Sequence, residues 1–575
     1  MAAFSGSQGA ERGLVLGDVD PECKPVVIGI DFGTAYSGVA FAYRADPGSI
    51  QCGAPTAADP AQIKVPTALL QMEDGTWEFG NEAESKYNEI LNEHNAIDPT
   101  QPAPAHLYKR FKMVLKGENK GFDTLTALSV NNKAHSLIEL VEICLRKLKD
   151  YALGRVNGGF GGAVNPTTEV QWVLTVPAIW NDFGKAFMRK AAFRAGLMET
   201  ELSDNLQLVL EPEGAALAVH VGASAHNLLG KSCRFMVLDC GGGTVDITVH
   251  EVICPMPLAL KAVSIPSGGD WGGDYVNIEF KKFLKELLGP DLYNESELPF
   301  EFYNIMVEFD KVKIMFEPSK PPGFIRLLDV LENKRQLLGL ANAYNLKHPD
   351  KPVLTTPTIN NGFLPMSKEL MLSFFEPFLA ATVRETQRVL TAIPNITNVM
   401  VVGGFGSSRV LTSRIQAEFQ GKNNVRVILP DTNPKPQGAI VQGAVYFGLY
   451  KNIIQSRVSP FTYGIAMQID GVHNSFKVLV TKNQELSYDH EVTQTGMPAS
   501  PEQTALNWRI FRSDLLAPPT VIGEHPLGKL EVKCPKHHDE DQRGQTGKFY
   551  FGGSEIRVEV ENHRGETYRT EIAMT

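Results

Sequence analysis

The chain of 575 residues is longer than one hydrophobic core usually supports, so we expect several domains or two large lobes with subdomains. Hydrophobic residues make up 43% and charged residues 21%, which excludes wholesale disorder. The 65 acidic residues outnumber the 55 basic residues and give a formal charge of −10. This balance argues against a nucleic-acid-binding protein or one that binds an anionic membrane, because phosphate-rich partners require a basic surface.

Cysteine usage and the N-terminal residues bear on the compartment. The seven cysteines are scattered and include no C-x-x-C pair, which argues against a disulfide framework or a zinc ribbon. The N-terminus lacks the basic start and apolar run of a secretory signal, and no stretch of about 18 apolar residues predicts a transmembrane helix. We therefore expect a protein without a membrane span in a reducing compartment, the cytoplasm, with the nucleus left open.

Apolar strands alternate with amphipathic helices over residues 26–450, after an N-terminal tail over 1–24 that we predict to be disordered. Residues 136–153, for example, place their apolar side chains on one face of a helix. The alternation predicts α/β lobes built on mixed sheets. The glycine-rich run over 154–166 follows that helix and is predicted to be a flexible surface loop. Further helices are predicted over 81–93, 182–196, 274–288 and 301–316.

The pattern changes near residue 460. Beyond it, helical periodicity fades, and short β-like segments such as FKVLV, ALNWRIF and EIRVEVE are separated by turn-rich stretches. Residues 460–575 are therefore predicted to form a separate, small antiparallel β domain.

A repeated device at the ends of two strands carries most of the chemical information. Asp31-Phe32-Gly33-Thr34 ends one apolar strand, and Asp239-Cys240-Gly241-Gly242-Gly243-Thr244 ends another. Each copy places an acid at a strand end, then glycine that lets backbone amides approach a ligand, then a hydroxyl. Such amides form an anion cradle, and the aspartates can hold a magnesium ion directly or through water. Two facing copies predict a clamp on the phosphate chain of a nucleotide.

A third element follows a later strand. Val401-Val402-Gly403-Gly404 ends that strand, and Phe405-Gly406-Ser407-Ser408-Arg409 leads into a helix. A Gly-Gly pair at this place allows the flat face of a nucleoside to lie against the backbone. Together with the two acid-glycine turns, it predicts a nucleotide site.

These motifs resemble the nucleotide-binding fold shared by actin, sugar kinases and 70-kDa heat-shock proteins, and within it the heat-shock branch. IGIDFGTAYSGVAF is similar to the first phosphate motif of that branch, LTVPAIWNDFGKAFMRKAAFRAGL to its connecting motif and LEPEGAA to its acid-proline turn. VLDCGGGTVDITV is similar to the second phosphate motif and VVGGFGSSR to the adenosine motif. The segments VPAIW and FKMVL most resemble the divergent 12A/12B-type group of that family.

The resemblance implies a two-lobed, actin-like ATPase fold of duplicated ribonuclease-H-like α/β lobes, followed by a small β-rich domain. On this basis lobe I is expected over 25–215, lobe II over 216–400 and a return segment that completes the lobes over 401–455. SPFTYGIA and PLGKLEV, within 460–575, resemble the β part of a peptide-binding domain, here truncated and without a lid.

The resemblance also implies roles for individual residues. Asp31 and Asp239 match the acids that hold a hydrated Mg²⁺ ion, and Asp246 matches the acid just after the second loop. Glu211 matches the acid that arranges the metal-bound and attacking waters, and Lys112 matches the lysine that orients the attacking water. The remaining matched positions are the phosphate-loop residues Gly33, Thr34, Ala35, Tyr36, Gly241, Gly242, Gly243 and Thr244, the adenosine-binding residues Asp310 and Lys313, and the glycines Gly403 and Gly404.

Such an assembly catalyses in-line attack of water on the γ-phosphate of ATP, which gives ADP and phosphate, and the protein supplies position and charge. Three departures from the family pattern matter. Ile314 stands where an arginine would stack on the adenine, Ala35 replaces a threonine, and residues 451–460 lack the acidic-leucine linker that couples ATP to peptide release. No helical lid is read in the sequence up to Thr575. We therefore expect altered nucleotide affinity, and gated chaperone cycling does not follow from the resemblance.

Three functions remain open at this point. The leading one is an ATP-binding, slowly hydrolysing heat-shock-70-like protein that acts as a chaperone-like or regulatory module on protein or peptide clients. A nucleotide-sensing scaffold without turnover is favoured by Ile314 and by the missing linker motif. A small-molecule kinase of the same fold would need a general base, for which Asp246 is a candidate, but we find no separate sugar-binding motif. A filament-forming actin relative is disfavoured, because the motif sequences resemble those of the heat-shock branch.

Overall fold

A computed structural model describes residues 18–55, 62–97, 104–116, 121–160, 162–221, 230–295, 298–321, 323–327, 334–354, 363–429, 438–450, 453–469, 471–534 and 543–571. Residues 1–17 of the predicted tail lie outside this part of the chain, so that prediction stays open for them.

The first large sheet belongs to the N-terminal part of the chain. The strands there are β1 (Val26–Phe32), β2 (Tyr36–Tyr43), β3 (Asp46–Gly53), β4 (Val65–Pro66), β5 (Ala68–Gln71), β6 (Trp77–Phe79), β7 (His106–Lys109), β8 (Thr126–Leu128), β9 (Ala134–Ser136), β10 (Val170–Val176) and β11 (Leu206–Leu210). The α-helices are α1 (Asn81–Ile97), α2 (Leu137–Phe160), α3 (Asp182–Arg194) and α4 (Glu211–Val221). The sheet runs in the order β11-β10-β1-β2-β3, with β4 beside β2, while β6-β5-β7 and β8-β9 form two smaller sheets.

The second large sheet belongs to the middle of the chain. The strands there are β12 (Arg234–Cys240), β13 (Val245–Pro255), β14 (Leu258–Ala262), β15 (Ser267–Gly269), β16 (Gly323–Arg326), β17 (Phe363–Met366), β18 (Ile396–Val402) and β19 (Arg426–Ile428). The α-helices are α5 (Gly273–Leu288), α6 (Pro299–Met315), α7 (Lys334–Lys347), α8 (Lys368–Ala392), α9 (Arg409–Phe419) and α10 (Ala439–Leu449). This sheet includes the order β19-β18-β12-β13-β14.

The two large sheets share one topology. In each, a first strand, β1 or β12, pairs with an antiparallel hairpin partner on one side and with a later parallel strand, β10 or β18, on the other. The orders β3-β2-β1-β10-β11 and β14-β13-β12-β18-β19 therefore correspond strand for strand. The fold is a mixed α/β, two-lobed one, and the correspondence puts Asp31 and Asp239 at equivalent strand ends.

Strand β1 shows why this segment is apolar on both faces. Ile28 and Ile30 pack in the core of the first lobe, whereas Val27 packs in a second core shared with α10. Strands covered by helices on both faces need apolar residues throughout rather than in alternation. Gly29 lies where α10 crosses, since a Cβ there would come within 2.9 Å of the Val441 carbonyl oxygen.

The prediction of a surface loop over 154–166 is wrong for its first half. Helix α2 continues to Phe160, and Val156 is buried on the same apolar face as the rest of the helix. The Tyr43 hydroxyl donates a 3.0 Å hydrogen bond to the carbonyl oxygen of Val156. Packing of this last stretch on the sheet thus outweighs the low helix propensity of its glycines.

The C-terminal part of the chain is made of strands. They are β20 (Ile454–Val458), β21 (Thr462–Ile469), β22 (Val472–Val480), β23 (Glu485–Ser487), β24 (Glu491–Gly496), β25 (Ala505–Ser513), β26 (His525–Lys533), β27 (Gln545–Tyr550), β28 (Arg557–Asn562) and β29 (Thr567–Glu571). Two four-stranded antiparallel sheets, β22-β21-β25-β26 and β24-β27-β28-β29, enclose a core that includes Trp508 and Phe549.

Strand β20 connects this part to the second lobe. It pairs in parallel with β14, and β23 then pairs antiparallel with β20, so both strands extend the second large sheet. Residues 454–458 thus form a strand of the second large sheet although they lack the acidic-leucine motif. None of the described helices has the length and apolarity needed to cross a membrane.

Candidate functional site

A cleft of about 410 Å³ lies between the two lobes and collects most of the residues that the sequence singled out. Asp246 is the predicted site residue that does not line it. The lining includes Asp31, Gly33, Thr34, Ala35, Tyr36, Lys112, Glu211, Asp239, Gly241, Gly242, Gly243, Thr244, Asp310, Lys313, Gly403 and Gly404.

The two glycine loops face each other across this cleft. A Cβ on Gly243 would lie 2.9 Å from the Thr34 hydroxyl oxygen, and one on Gly242 would lie 3.0 Å from the Cβ of Ala35. The second loop is fixed from behind, because the amides that begin α5 donate to the carbonyl oxygens of Gly241 and Gly242 at 3.1 and 2.9 Å. Larger side chains in these loops would obstruct the approach of an anion to the backbone amides.

Four largely buried carboxyl groups interact electrostatically, and all of them except Asp246 line the cleft. Asp31 and Asp239 end equivalent strands and are each only 2% exposed. Asp246 is directly opposite Asp239 in the β12–β13 hairpin and accepts a 2.9 Å hydrogen bond from the Ile179 amide. Glu211 begins helix α4. Strand register and a helix start therefore bring together acids that are far apart in the sequence.

The Asp239 carboxylate is the least satisfied of these groups. Both of its oxygens are buried, and neither has a hydrogen-bond partner among the described residues. Gly403, whose φ is 85°, lies against it, and a Cβ at that position would overlap an Asp239 oxygen. A buried carboxylate without a partner is costly unless a cation or donor compensates it.

Two lysines accompany the acids. The Lys112 ammonium group donates to the Phe32 carbonyl oxygen at 2.6 Å and to Glu211 at 3.0 Å, and it lies 5.0 Å from the centre of the Trp180 ring. The lysine predicted to orient water is thus 2% exposed and fixed on three sides. Lys64, which the sequence did not single out, contacts Asp31 at 2.5 Å.

The carboxyl groups in this arrangement are largely buried and repel one another. Burial raises the pKa of Asp239 well above its ordinary value, and the negative charges of Glu211, Asp246 and Asp31 add to this shift. Burial also raises the pKa of Glu211 to about 7, although Lys112 opposes the shift. Clusters of this kind are found where a protein binds a cation or performs chemistry.

The residues fit a magnesium ion held mainly through water. In the described part of the chain, no group of three or more His, Cys, Asp or Glu side chains has the spacing of a direct metal centre. Mg²⁺ usually keeps several waters and binds through one or two carboxylates together with substrate phosphates. Asp31 and the unpartnered Asp239 supply that donor set, so the fit is to a hydrated ion rather than to a protein cage.

The far end of the cleft carries the residues matched to adenosine binding. Asp310 contacts Lys313 at 2.9 Å and accepts a 2.7 Å hydrogen bond from Asn277. Arg110 spans the cleft from the first lobe and contacts Asp274 at 2.8 Å and Asp310 at 3.0 Å. The acid matched to adenosine binding is therefore already engaged in ion pairs in this structure.

Ile314 lies at the rim of this end of the cleft. It lines the cleft and is 66% exposed. A Cβ added to Gly404, by contrast, would have no atom within 4 Å, so the backbone there is open to a ligand. Ile314 is the position at which the resemblance predicts an arginine.

Among the cleft residues that the sequence did not predict are Lys64, Arg110 as an ion-pair partner, and Asp274. Lys64 precedes a two-residue strand that carries no motif, and Arg110 stands out in the sequence only as a neighbour of Lys112. Asp274 follows the Gly272-Gly273 pair at the start of α5. That pair is a usable signal, since it repeats the arrangement of glycines next to an acid.

Comparison with known proteins adds a separate line of support. No protein-family model matches the chain. It is 27% identical to heat shock 70 kDa protein 12A of Mus musculus, over 87% of this chain and 84% of that protein. It is also 27% identical to heat shock 70 kDa protein 12B of Homo sapiens, over 93% and 88%, and 24% identical to chaperone protein DnaK of Mycoplasmopsis agalactiae, over 77% and 62%.

Proposed function

From the premise that the chain is a divergent, 12A/12B-like relative of the 70-kDa heat-shock proteins, we propose that it binds ATP and ADP with Mg²⁺ in the interlobe cleft and hydrolyses ATP slowly. One observation carries this proposal: the buried Asp239 carboxylate, without a hydrogen-bond partner among the described residues, lines the same cleft as two facing glycine loops. When bound, Mg²⁺ would neutralise part of the charge on the phosphates. Asp31 and Asp239 would hold it through water.

The chain's own residues then have separate tasks. Backbone amides of the two loops, with the hydroxyls of Thr34 and Thr244, bind the phosphates. Lys112 and Glu211 share a 3.0 Å hydrogen bond and orient the attacking water, with Glu211 suited to exchange a proton because its pKa is raised to about 7. Rate enhancement comes from position and charge rather than from a covalent intermediate.

The wider role is that of a chaperone-like or regulatory interaction module. The named relatives are heat-shock and chaperone proteins, and the two C-terminal sheets are offered as the surface for protein or peptide clients. We place the protein in the cytoplasm, since all seven cysteines are free thiols, which suits a reducing compartment. Its acidic charge makes nucleic acid an unfavourable partner.

A nucleotide-sensing scaffold without turnover is a second candidate, favoured by the exposed Ile314 at the rim. The kinase alternative is weaker. Asp246 is 1% exposed, does not line the cleft and already accepts a hydrogen bond from the Ile179 amide. A general base must instead reach the proton that it removes.

Calorimetric titration with Mg²⁺-ATP, run in parallel with a phosphate-release assay, tests the proposal. Wild type is expected to bind ATP and release phosphate slowly, and Asp239→Asn is expected to bind more weakly, because it removes the charge of the carboxylate that would hold Mg²⁺. Asp150→Asn, at a 63% exposed side chain on α2, is the matched control and should behave as wild type. No binding by wild type overturns both candidates, whereas binding without phosphate release selects the scaffold.

A further inference from the structure

Lys64 contacts the aspartate that is assigned to the metal. Its ammonium nitrogen lies 2.5 Å from an Asp31 oxygen, and its side chain is 13% exposed and lines the cleft. The other Asp31 oxygen accepts a 3.1 Å hydrogen bond from the Thr175 hydroxyl. A cation of the protein itself therefore occupies one face of a carboxylate that would otherwise be available to Mg²⁺.

The backbone holds Lys64 in this position. The residue directly precedes β4, which pairs with β2 through Ser37 and Val65. Gly38 is paired with Asp31 across β1 and β2, and a Cβ on Gly38 would lie 3.0 Å from the Cγ of Lys64. The aliphatic stem therefore passes over a glycine next to Asp31, and a side chain there would push it away.

Lys64 differs from Lys112 in what it can offer a ligand. Lys112 is 2% exposed and already donates to a carbonyl oxygen and to Glu211. Lys64 has one described partner, Asp31, and an ammonium group carries three donors. Since Lys64 lines the cleft, its remaining donors are available to an anion between the two glycine loops.

The charges around Lys64 favour a ligand that brings phosphate. Among the described residues, Lys64 and Lys112 are the ammonium groups that contact this cluster of carboxyl groups, Lys64 at Asp31 and Lys112 at Glu211. A phosphate chain adds more negative charge, so its binding here requires every available cation. A lysine acts on phosphate as a compact point charge, and such contacts are stronger than neutral hydrogen bonds.

We propose that Lys64 is a built-in cation of this site, which binds the phosphates of nucleoside di- and triphosphates directly and supplies part of the positive charge that their binding requires when Mg²⁺ is absent. The inference rests on the proposed function, because it concerns the same cleft. In the metal-free protein Lys64 holds Asp31, and a bound Mg²⁺ has to share that carboxylate with it.

Calorimetric affinity for ATP, measured in Mg²⁺ and again in EDTA, tests the inference. Wild type is expected to lose less than about tenfold in affinity when Mg²⁺ is removed. Lys64→Met keeps the length of the side chain without its charge, and it should lose at least about tenfold in EDTA and much less in Mg²⁺, as expected for one contact to a charged group. Lys64→Arg keeps the charge and should retain most of the binding in EDTA.

Each other outcome overturns the inference. If Lys64→Met binds ATP as wild type does, or weakens it equally in Mg²⁺ and in EDTA, Lys64 is only a structural partner of Asp31. If wild type binds ATP in Mg²⁺ but not in EDTA, the inference fails while the proposed function stands, and if it binds in neither, both fail. Should Lys64→Met not fold, Lys64→Gln replaces it, and the same comparison of its affinities in Mg²⁺ and in EDTA decides.

Discussion

The Arg457 guanidinium donates two hydrogen bonds of 2.8 Å to the Glu213 carboxylate and a third of 2.8 Å to the carbonyl oxygen of Gly552. Glu213 is two residues from Glu211 in helix α4, Arg457 belongs to β20, and Gly552 precedes β28 in the C-terminal sheets. One buried ion pair thus joins the helix that carries a cleft carboxylate to the connecting strand and to the C-terminal part. A second contact, between Arg189 and Glu555 at 2.5 Å, strengthens the same interface.

We expect Arg457→Leu to destabilise the protein by about 3–5 kcal/mol, because it leaves the Glu213 charge buried without a partner. Burial favours a higher pKa for Glu213, yet Arg457 brings it below its ordinary value, which shows how strongly the pair depends on the cation. The free energy of unfolding from urea denaturation measures the effect. Limited proteolysis between the lobes and the C-terminal sheets should also become faster.

The exposed pair between Lys482 and Asp514 is the control for this prediction. The two groups are 3.0 Å apart, and the Asp514 side chain is 68% exposed. Lys482→Met should cost less than about 1 kcal/mol, since exposed ion pairs contribute little. Similar small losses in both variants would contradict the view that Arg457 fixes the C-terminal part to the lobes.

A contact between two helices gives the second prediction. Helix α10 crosses α4 so closely that a Cβ on Gly443 would overlap the Gly214 carbonyl oxygen. Gly443→Ala should therefore destabilise the fold by about 1–3 kcal/mol through overpacking. Gly339, on α7 with nothing within 4 Å of an added Cβ, is the matched control. Gly339→Ala should stabilise the fold by about 0.5–1 kcal/mol. The midpoint temperature of thermal denaturation should therefore fall for Gly443→Ala and rise for Gly339→Ala. A shift in the same direction for both variants would contradict the close crossing of α4 and α10.

The strand-end acids could be predicted because the signals that place them are local. An apolar strand followed by an acid and a glycine turn fixes where Asp31 and Asp239 lie in their own lobes, and the repeat of the device indicates that they face each other. Lys64 and Arg110 carry no such signal, since a single basic residue in a loop resembles any solvated one. Their contacts depend on the β2–β4 pairing and on the approach of the second lobe, which are long-range.

The end of α2 shows where prediction from local sequence fails. Glycines at 154, 158 and 159 predict a loop by propensity, but Val156 is buried and hydrogen-bonded to Tyr43 of the neighbouring sheet. Tertiary packing decides the length of a helix that local composition would end earlier. The missing linker motif in residues 451–460 is a similar case, because β20 pairs with β14 without the acidic-leucine motif.

Ile314 gives the third prediction, which concerns nucleotide affinity. Ile314→Arg places a planar cation at the rim of the adenosine end, where it can stack on a base. We expect ATP to bind several-fold more tightly, by a calorimetric measurement in Mg²⁺. Met315→Arg is the control, because Met315 is 77% exposed and does not line the cleft. Equal gains in the two variants would mean that added positive charge, rather than stacking, causes the effect.

His250 gives the last prediction, through its burial next to the Glu213–Arg457 pair. The ring is 1% exposed, stacks on Phe235 and lies 3.0 Å from the Thr248 hydroxyl. Burial lowers the pKa of His250 to about 4, and the positive charge of Arg457 acts in the same direction while Glu213 opposes it. In the unfolded chain the histidine pKa is about 6.5.

Because the pKa of His250 is lower in the folded protein than in the unfolded chain, protons bind the unfolded chain more readily. The stability that the neutral His250 ring contributes is therefore complete above about pH 6.5 and disappears as the pH falls towards 4. The loss amounts to about 3 kcal/mol. His250→Gln, which does not titrate, should therefore lose less stability than wild type between about pH 6.5 and 4.5 in urea denaturation. His473→Gln, at an exposed position of β22, should follow wild type. Parallel pH curves for His250→Gln and wild type would show that the buried ring does not control acid stability.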